Sequence, residues 1–138
     1  MNETPIPAGF EQHHSLTGFM ELLGPVYVKT AGKQAIVALR IEKKHLNKGG
    51  IAHGGLLATL TDSAMGINLT RHQEAPKPMV SVNLTNDYLL PTRLGDWVEA
   101  HVTVEKLGAS LGFARCNLMV GERCVVRAHG IFALLQPR

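Results

Sequence analysis

Residues 45–62 read His45-Leu46-Asn47-Lys48-Gly49-Gly50-Ile51-Ala52-His53-Gly54-Gly55-Leu56-Leu57-Ala58-Thr59-Leu60-Thr61-Asp62, a glycine-rich loop running into an apolar segment. Leu57, Leu60, Ala64 and Ile67 continue that segment on one helical stripe, with Leu56 and Leu69 beside it, which predicts a helix over 54–71. Eight residues after Gly54 stands one carboxylate, Asp62. A helix start leaves backbone N–H groups unpaired and carries the positive end of the macrodipole, which suits a developing oxyanion. A carboxylate on an otherwise apolar helix is a candidate base or nucleophile. Each part also has a plainer reading: Gly-Gly opens many helices, a neighbouring histidine caps or packs, and a helical aspartate usually faces water. The spacing of the whole segment favours attack on a carbonyl.

On the N-terminal side, residues 1–9 read as a loose tail. Phe10 to Leu23 carries apolar residues at loosely helical spacing, and Gly24-Pro25 stops it. Pro25–Ala31 and Gln34–Ile41 alternate well enough for two strands turning at Gly32-Lys33. Beyond the helix every pattern is β. Val80, Val82 and Leu84 alternate with Ser81, Asn83 and Thr85, and 98–105 is the cleanest alternation in the chain. Leu111–Val120 and Arg123–Leu135 give two more strands around Gly121-Glu122. The order α-β-β-α-β-β-β-β predicts an α+β domain, an antiparallel sheet wrapped around a long central helix. No Gly-x-Gly-x-x-Gly and no βαβ repeat argue for a dinucleotide fold.

The 138 residues read as a single domain, 1–138, and 45% apolar content is enough for a real core. No run of about 18 uncharged apolar residues predicts a membrane span. The N-terminus has neither a basic nor an apolar signal region, so a cytoplasmic protein is expected. Cys116 and Cys124 lack metal-ligand spacing and are expected to be reduced, packed thiols; nucleophilic pairing of Cys116 with His129 has only residue type behind it. His13, His14 and His45 are expected to face solvent, since no third ligand stands at a suggestive spacing, so no metal is expected. Net charge is +3 with scattered Lys and Arg and 5% aromatics, which gives no basic helix or stacking platform for nucleic acid. A small polyanion needs only two or three placed cations.

The ordered set Asn47-x-Gly49-x-x-x-His53-Gly54-Gly55-x-x-x-x-x-x-Asp62 resembles the signature of hotdog-fold acyl-CoA thioesterases of the PaaI type, in the 4-hydroxybenzoyl-CoA thioesterase-like superfamily. The resemblance continues through Val80-Ser81-Val82-Asn83-Leu84, Tyr88-Leu89-Leu90-Pro91, Leu94-Gly95-Asp96 and Ala128-His129-Gly130-Ile131-Phe132, covering residues 15–135. It implies a hotdog fold and thioester hydrolysis to free coenzyme A and a carboxylic acid, with coenzyme A as part of the substrate and no separate cofactor. Asp62 is then the base that activates water or the nucleophile, and the Gly54 amide polarises the thioester oxygen. Asn47 and His53 hold the thioester sulfur side or complete that polar pocket, and Ser81 matches a hydroxyl that positions water, although an outward strand serine is the plainer reading. Relatives often carry Gly-Arg or Gly-Lys after the fourth strand. Here Gly108-Ala109-Ser110 stands instead, leaving Gly55, Gly108 and Ser110 as coenzyme A contacts and Lys48, Arg93 or Lys106 as phosphate-binding cations. Tyr88 and Pro91 are expected to shape the sheet edge. A hotdog hydratase or dehydratase and a non-catalytic acyl-CoA binding module are the competing readings.

Helix geometry adds a constraint. At 1.5 Å per residue, the Gly54 amide and Asp62 stand roughly 12 Å apart on one helix, too far for both to reach one carbonyl. Two antiparallel copies about a twofold axis bring them together, and Ala58, Ser63 and Gly66 are small enough to let such helices approach. A homodimer with two shared sites is therefore expected, in a dimer-of-dimers tetramer.

Overall fold

The computed structural model describes residues 4–14 and 18–136. In chain order the elements are β1 (Glu11–Gln12), α1 (Phe19–Leu23), β2 (Tyr27–Ala31), β3 (Gln34–Arg40), a 3-10 turn (Lys43–His45), α2 (Gly54–Arg71), β4 (Met79–Tyr88), β5 (Trp97–Leu107), β6 (Leu111–Val120) and β7 (Arg123–Leu134). The strands form one antiparallel sheet in the order β1-β2-β3-β5-β6-β7-β4, and α2 packs across one face of it. This is the hotdog arrangement that the sequence predicts. Two-residue loops join β2 to β3 and β6 to β7, and each begins with a glycine at positive φ, Gly32 at 61° and Gly121 at 60°. That is the backbone a tight hairpin of this twist requires.

Alternation gives the sheet its two faces. Val98, Ala100 and Val102 of β5 and Ala114, Cys116 and Leu118 of β6 are buried under the helix, meeting Leu57, Leu60, Ala64 and Leu69. Two polar residues share that interface. Asn68 accepts from the Ala35 N–H at 3.0 Å and donates to the Ala35 carbonyl at 2.9 Å, so its amide acts as a short extra ladder to β3. The single hydroxyl proton of Thr61 is shared between the Ala58 carbonyl at 2.9 Å and Asn86 Oδ1 at 2.8 Å. Both are fully buried and bonded, the condition under which a polar group in a core costs little.

The segment from Phe10 to Leu23 departs from the helical expectation. Only Phe19–Leu23 is helical; Glu11–Gln12 pair with β2, and residues 15–17 lie outside the described residues. Phe10 packs edge-on against Trp97, with ring centroids 5.2 Å apart, so its burial comes from the outer face of the sheet and not from a helical stripe. His45 also departs from expectation. It is 2% exposed, with Nδ1 accepting from the Glu42 N–H at 2.9 Å and Nε2 2.7 Å from the Leu23 carbonyl, because the loop before α2 folds under α1. His13 is half-buried, and His14 is exposed as expected.

β4 carries the largest local irregularity. Ser81 pairs with Phe132 and Asn83 with Ile131, so Val82 is an extra residue with no partner opposite it. Such a bulge shifts the alternation by one. Ser81 before it and Leu84, Asn86 and Tyr88 after it consequently all lie on the helix side, opposite core-facing residues of β7. Simple alternation across 80–85 would have put Ser81 and Leu84 on opposite faces.

Candidate active site

Three hydrogen bonds fasten β4 along α2, and they mark out the candidate site. Ser81 Oγ donates to Asp62 Oδ1 at 2.6 Å, Thr61 donates to Asn86, and Tyr88 donates its hydroxyl to the Gly54 carbonyl at 2.7 Å. Asp62 is half-buried in mid-helix and does not project freely into water. Ser81 points at the helix, so the reading as an outward strand serine does not hold.

Asp62 and Ser81 line a groove of about 1010 Å³ that runs toward the C-terminal end of α2. Its walls are mainly apolar, with Met20, Val28, Ile67, Met79 and Phe132 among them. Ser63 and Gly66 line the same groove, and Ser63 donates to Met20 Sδ at 3.3 Å. His13, Arg71 and Lys77 also contribute to the walls.

The helix start opens on a different pocket, of about 340 Å³, lined by Asn47, Gly54, Leu57, Tyr88, Leu90 and Thr92 among others. His53 is the N-cap of α2, its Nδ1 accepting from the Gly55 N–H at 2.8 Å. The capping reading of this histidine is thus the one the geometry carries. The Gly54 N–H, by contrast, has no acceptor among the described residues. Asn47 Oδ1 accepts from the N–H groups of Gly49 at 2.9 Å and Ile51 at 3.3 Å, which closes the loop, and its Nδ2 has no partner among the described residues. The Thr92 hydroxyl is buried in the wall of this pocket and has no hydrogen-bond partner among the described residues.

The sequence candidates therefore fall into two groups that one chain does not bring together. Asn47, His53, Gly54 and Gly55 surround the helix start, while Asp62 and Ser81 sit in the groove. Lys48 is exposed on the Asn47 turn, and Arg93 bridges to Ile51 of that turn, so two cations flank the helix start. Lys106, near the end of β5, and Gly108 and Ser110 of the β5–β6 turn lie at the other end of α2, where Leu134 N–H donates to the Ser110 carbonyl and Leu69 packs near Gly112. The sequence assigns neither of two further residues in this arrangement to the site. Tyr88 is expected only to shape the sheet edge, and Asn86 draws no expectation because only the bulge turns it inward.

Cys116 and His129 lie on opposite faces of the sheet, since Cys116 is opposite core-facing Ala128 and His129 is exposed. That geometry excludes the Cys–His pairing. Both cysteines are free thiols, and burial, with a smaller contribution from Cys124, pushes Cys116 up to about 12. Among the described residues no cluster of three His, Cys, Asp or Glu side chains is placed to hold a metal, and no helix is long and apolar enough to cross a membrane.

A long helix laid across an antiparallel sheet is the hotdog fold, and here it carries a carboxylate in mid-helix and a glycine amide open at its start. The model of the thioesterase superfamily matches residues 49–126, and the chain belongs to that family: its class is thioester hydrolase. A Pseudomonas aeruginosa protein whose name gives it provisionally as an esterase is 45% identical over 130 residues, covering 94% of this chain and 97% of the relative. Mouse acyl-coenzyme A thioesterase 13 is 36% identical over 104 residues, covering 73% of this chain and 72% of the relative. A mutant of the phenylacetic acid degradation protein PaaI from Thermus thermophilus superposes with a TM-score of 0.76 at 30% identity, over 85% of this chain and 98% of that one.

Proposed function

We propose that this chain hydrolyses acyl-CoA thioesters at sites shared between two subunits. The observation that carries the reading is the Ser81–Asp62 bond in the wall of an apolar groove: a half-buried carboxylate, oriented by a hydroxyl, beside space for an acyl group. Asp62 activates water or attacks the thioester carbon, and Ser81 holds its carboxylate in one orientation. The mouse relative's name supports coenzyme A as the thiol carried by the substrate.

The oxyanion donor comes from the partner. Gly54 and Asp62 open on separate pockets of one subunit, as expected for groups roughly 12 Å apart along a helix. A twofold axis setting α2 against its copy brings the partner subunit's Gly54 amide and Asn47 amide to the carbonyl that Asp62 attacks. The same operation draws the β5–β6 turn of one subunit, with Lys106, toward Lys48 and Arg93 of the other. That gathers cations for the coenzyme A phosphates. β4 supports a pairing of this kind, since it is a ten-residue edge strand with Val80 and Val82 exposed on its outer side. No separate cofactor enters the reaction.

The test is release of free thiol from a panel of aromatic and short-, medium- and long-chain acyl-CoAs, followed with a thiol reagent. Turnover of at least one substrate is expected, and it should be lost in Asp62→Asn. Binding without thiol release across the whole panel would reduce the chain to an acyl-CoA binding module.

A further inference from the structure

The geometry points to Tyr88 as a positioning residue for the oxyanion donor, a role that rests on the reading of the Gly54 amide given above. The first turn of α2 starts with two glycines, the residues with the greatest backbone freedom, at the end of a helix where fraying is greatest. An amide stabilises an oxyanion best when its direction is set before the reaction, so that no reorganisation accompanies charge development. A Gly-Gly start supplies close approach and no rigidity of its own.

Rigidity comes from two side chains on either side of that start. His53 Nδ1 takes up the Gly55 N–H at 2.8 Å, and the Tyr88 hydroxyl donates to the Gly54 carbonyl at 2.7 Å. The Tyr88 ring lies directly over the residue: a Cβ added to Gly54 would stand 3.4 Å from Cζ and 3.5 Å from the hydroxyl oxygen. Gly54 is thus held by its carbonyl and by packing on one face, while its N–H is left unbonded among the described residues. Tyr88 shares the pocket wall with Asn47 and is 52% exposed, so its tie to Gly54 is not explained by filling the core. It reaches the helix start only because the bulge at Val82 has already shifted the strand's alternation. Tyr88 touches the donor residue and acts on the substrate through it.

Tyr88→Phe removes one oxygen and keeps the ring. If Tyr88 orients the donor, kcat should fall about tenfold with KM changed less than about twofold, a smaller loss than deleting an oxyanion donor outright. The decisive readout is spectroscopic. A ketone analogue of acyl-CoA, with a methylene in place of sulfur and carbon-13 at the carbonyl, is bound to the intact protein and its C=O stretch recorded by isotope-edited infrared difference. The wild-type band should move to lower frequency than in water, and Tyr88→Phe should lose part of that shift or broaden it. A variant with unchanged kcat, or with reduced kcat and an unaltered band, overturns the role of Tyr88. A wild-type band with no shift relative to water defeats the Gly54 reading itself, and the proposal falls with it.

Discussion

Ser81 and Asp62, 19 residues apart in sequence, meet across 2.6 Å where the edge strand β4 crosses the middle of α2. The bond fixes one carboxylate oxygen, while the other has no partner among the described residues and, in the proposed reaction, acts on water or on the thioester carbon. Asp62→Asn should lower kcat by at least about a hundredfold with the fold intact, as loss of a base or nucleophile does. Ser81→Ala should cost about tenfold, mainly in kcat, because the carboxylate survives without its orienter. Steady-state kinetics with circular dichroism as the control checks both. An Asp62→Asn variant near the wild-type rate would remove the residue from the chemistry.

The bulge at Val82 is what lets one strand present Ser81, Asn86 and Tyr88 to the same helix. Deleting Val82 would leave Ser81 two positions before Leu84 and keep both on the helix side, whereas inserting one alanine after Val82 turns either Ser81 or the Leu84–Asn86–Tyr88 set to the outer face unless the bulge widens. In the insertion variant activity should vanish and stability should drop by about 2 kcal/mol or more in urea unfolding, since Leu84 or the bonded partners of α2 lose their places. Val82→Thr should be close to neutral on both measures, because that side chain is 59% exposed. An active insertion variant would mean that β4 takes up a second extra residue without cost.

How far the sequence carried this picture depends on the range of the interactions. The helix over 54–71 and the strands around β5, β6 and β7 are legible because their periodicity is local and each has one buried face. The bulge in β4 is not, since it exists only in the pairing of Ser81 and Asn83 with successive residues of β7. His45 reads as a loop histidine, and its burial depends on α1 and the Leu23 carbonyl, 22 residues away. Asn68 interrupts an apolar stripe without announcing that it would bond both backbone groups of Ala35. Asp62, Gly54 and Asn47 stood out through their mutual spacing, whereas Tyr88 and Asn86 gained their contacts from tertiary structure alone.

The two cysteines should behave differently toward reagents. Burial holds the Cys116 thiol well above its ordinary 9.0, at about 12, while Cys124 is only half-buried. An aromatic disulfide reagent at pH 8 should titrate one thiol per folded chain and two after denaturation in guanidinium. The folded state binds the Cys116 proton more tightly than the unfolded state does. Its contribution therefore keeps its full value below about pH 9 and is lost as pH rises toward 12, and Cys116→Ala should flatten that part of the stability profile. Two reactive thiols in the folded chain would contradict the burial of Cys116.

Complementation between two dead variants tests the shared site directly. Asp62→Asn removes the carboxylate, and Asn47→Ala removes the side chain that closes the loop before α2 and faces the other pocket. In a heterodimer of the two, one site carries both lesions and the other carries neither, provided that Asp62 of one chain works with the helix start of its partner. Random assortment makes about half the dimers mixed, and each mixed dimer has one intact site of two, so roughly a quarter of wild-type activity should return. Co-expression with two distinguishable tags, followed by tandem purification of the mixed species, raises the expected recovery to about half and removes the dependence on assortment. Sites contained within single subunits would stay dead in every combination, since each chain carries a lesion. Purified mixed dimers without activity would defeat the two-subunit site and return Gly54 and Asp62 to separate roles.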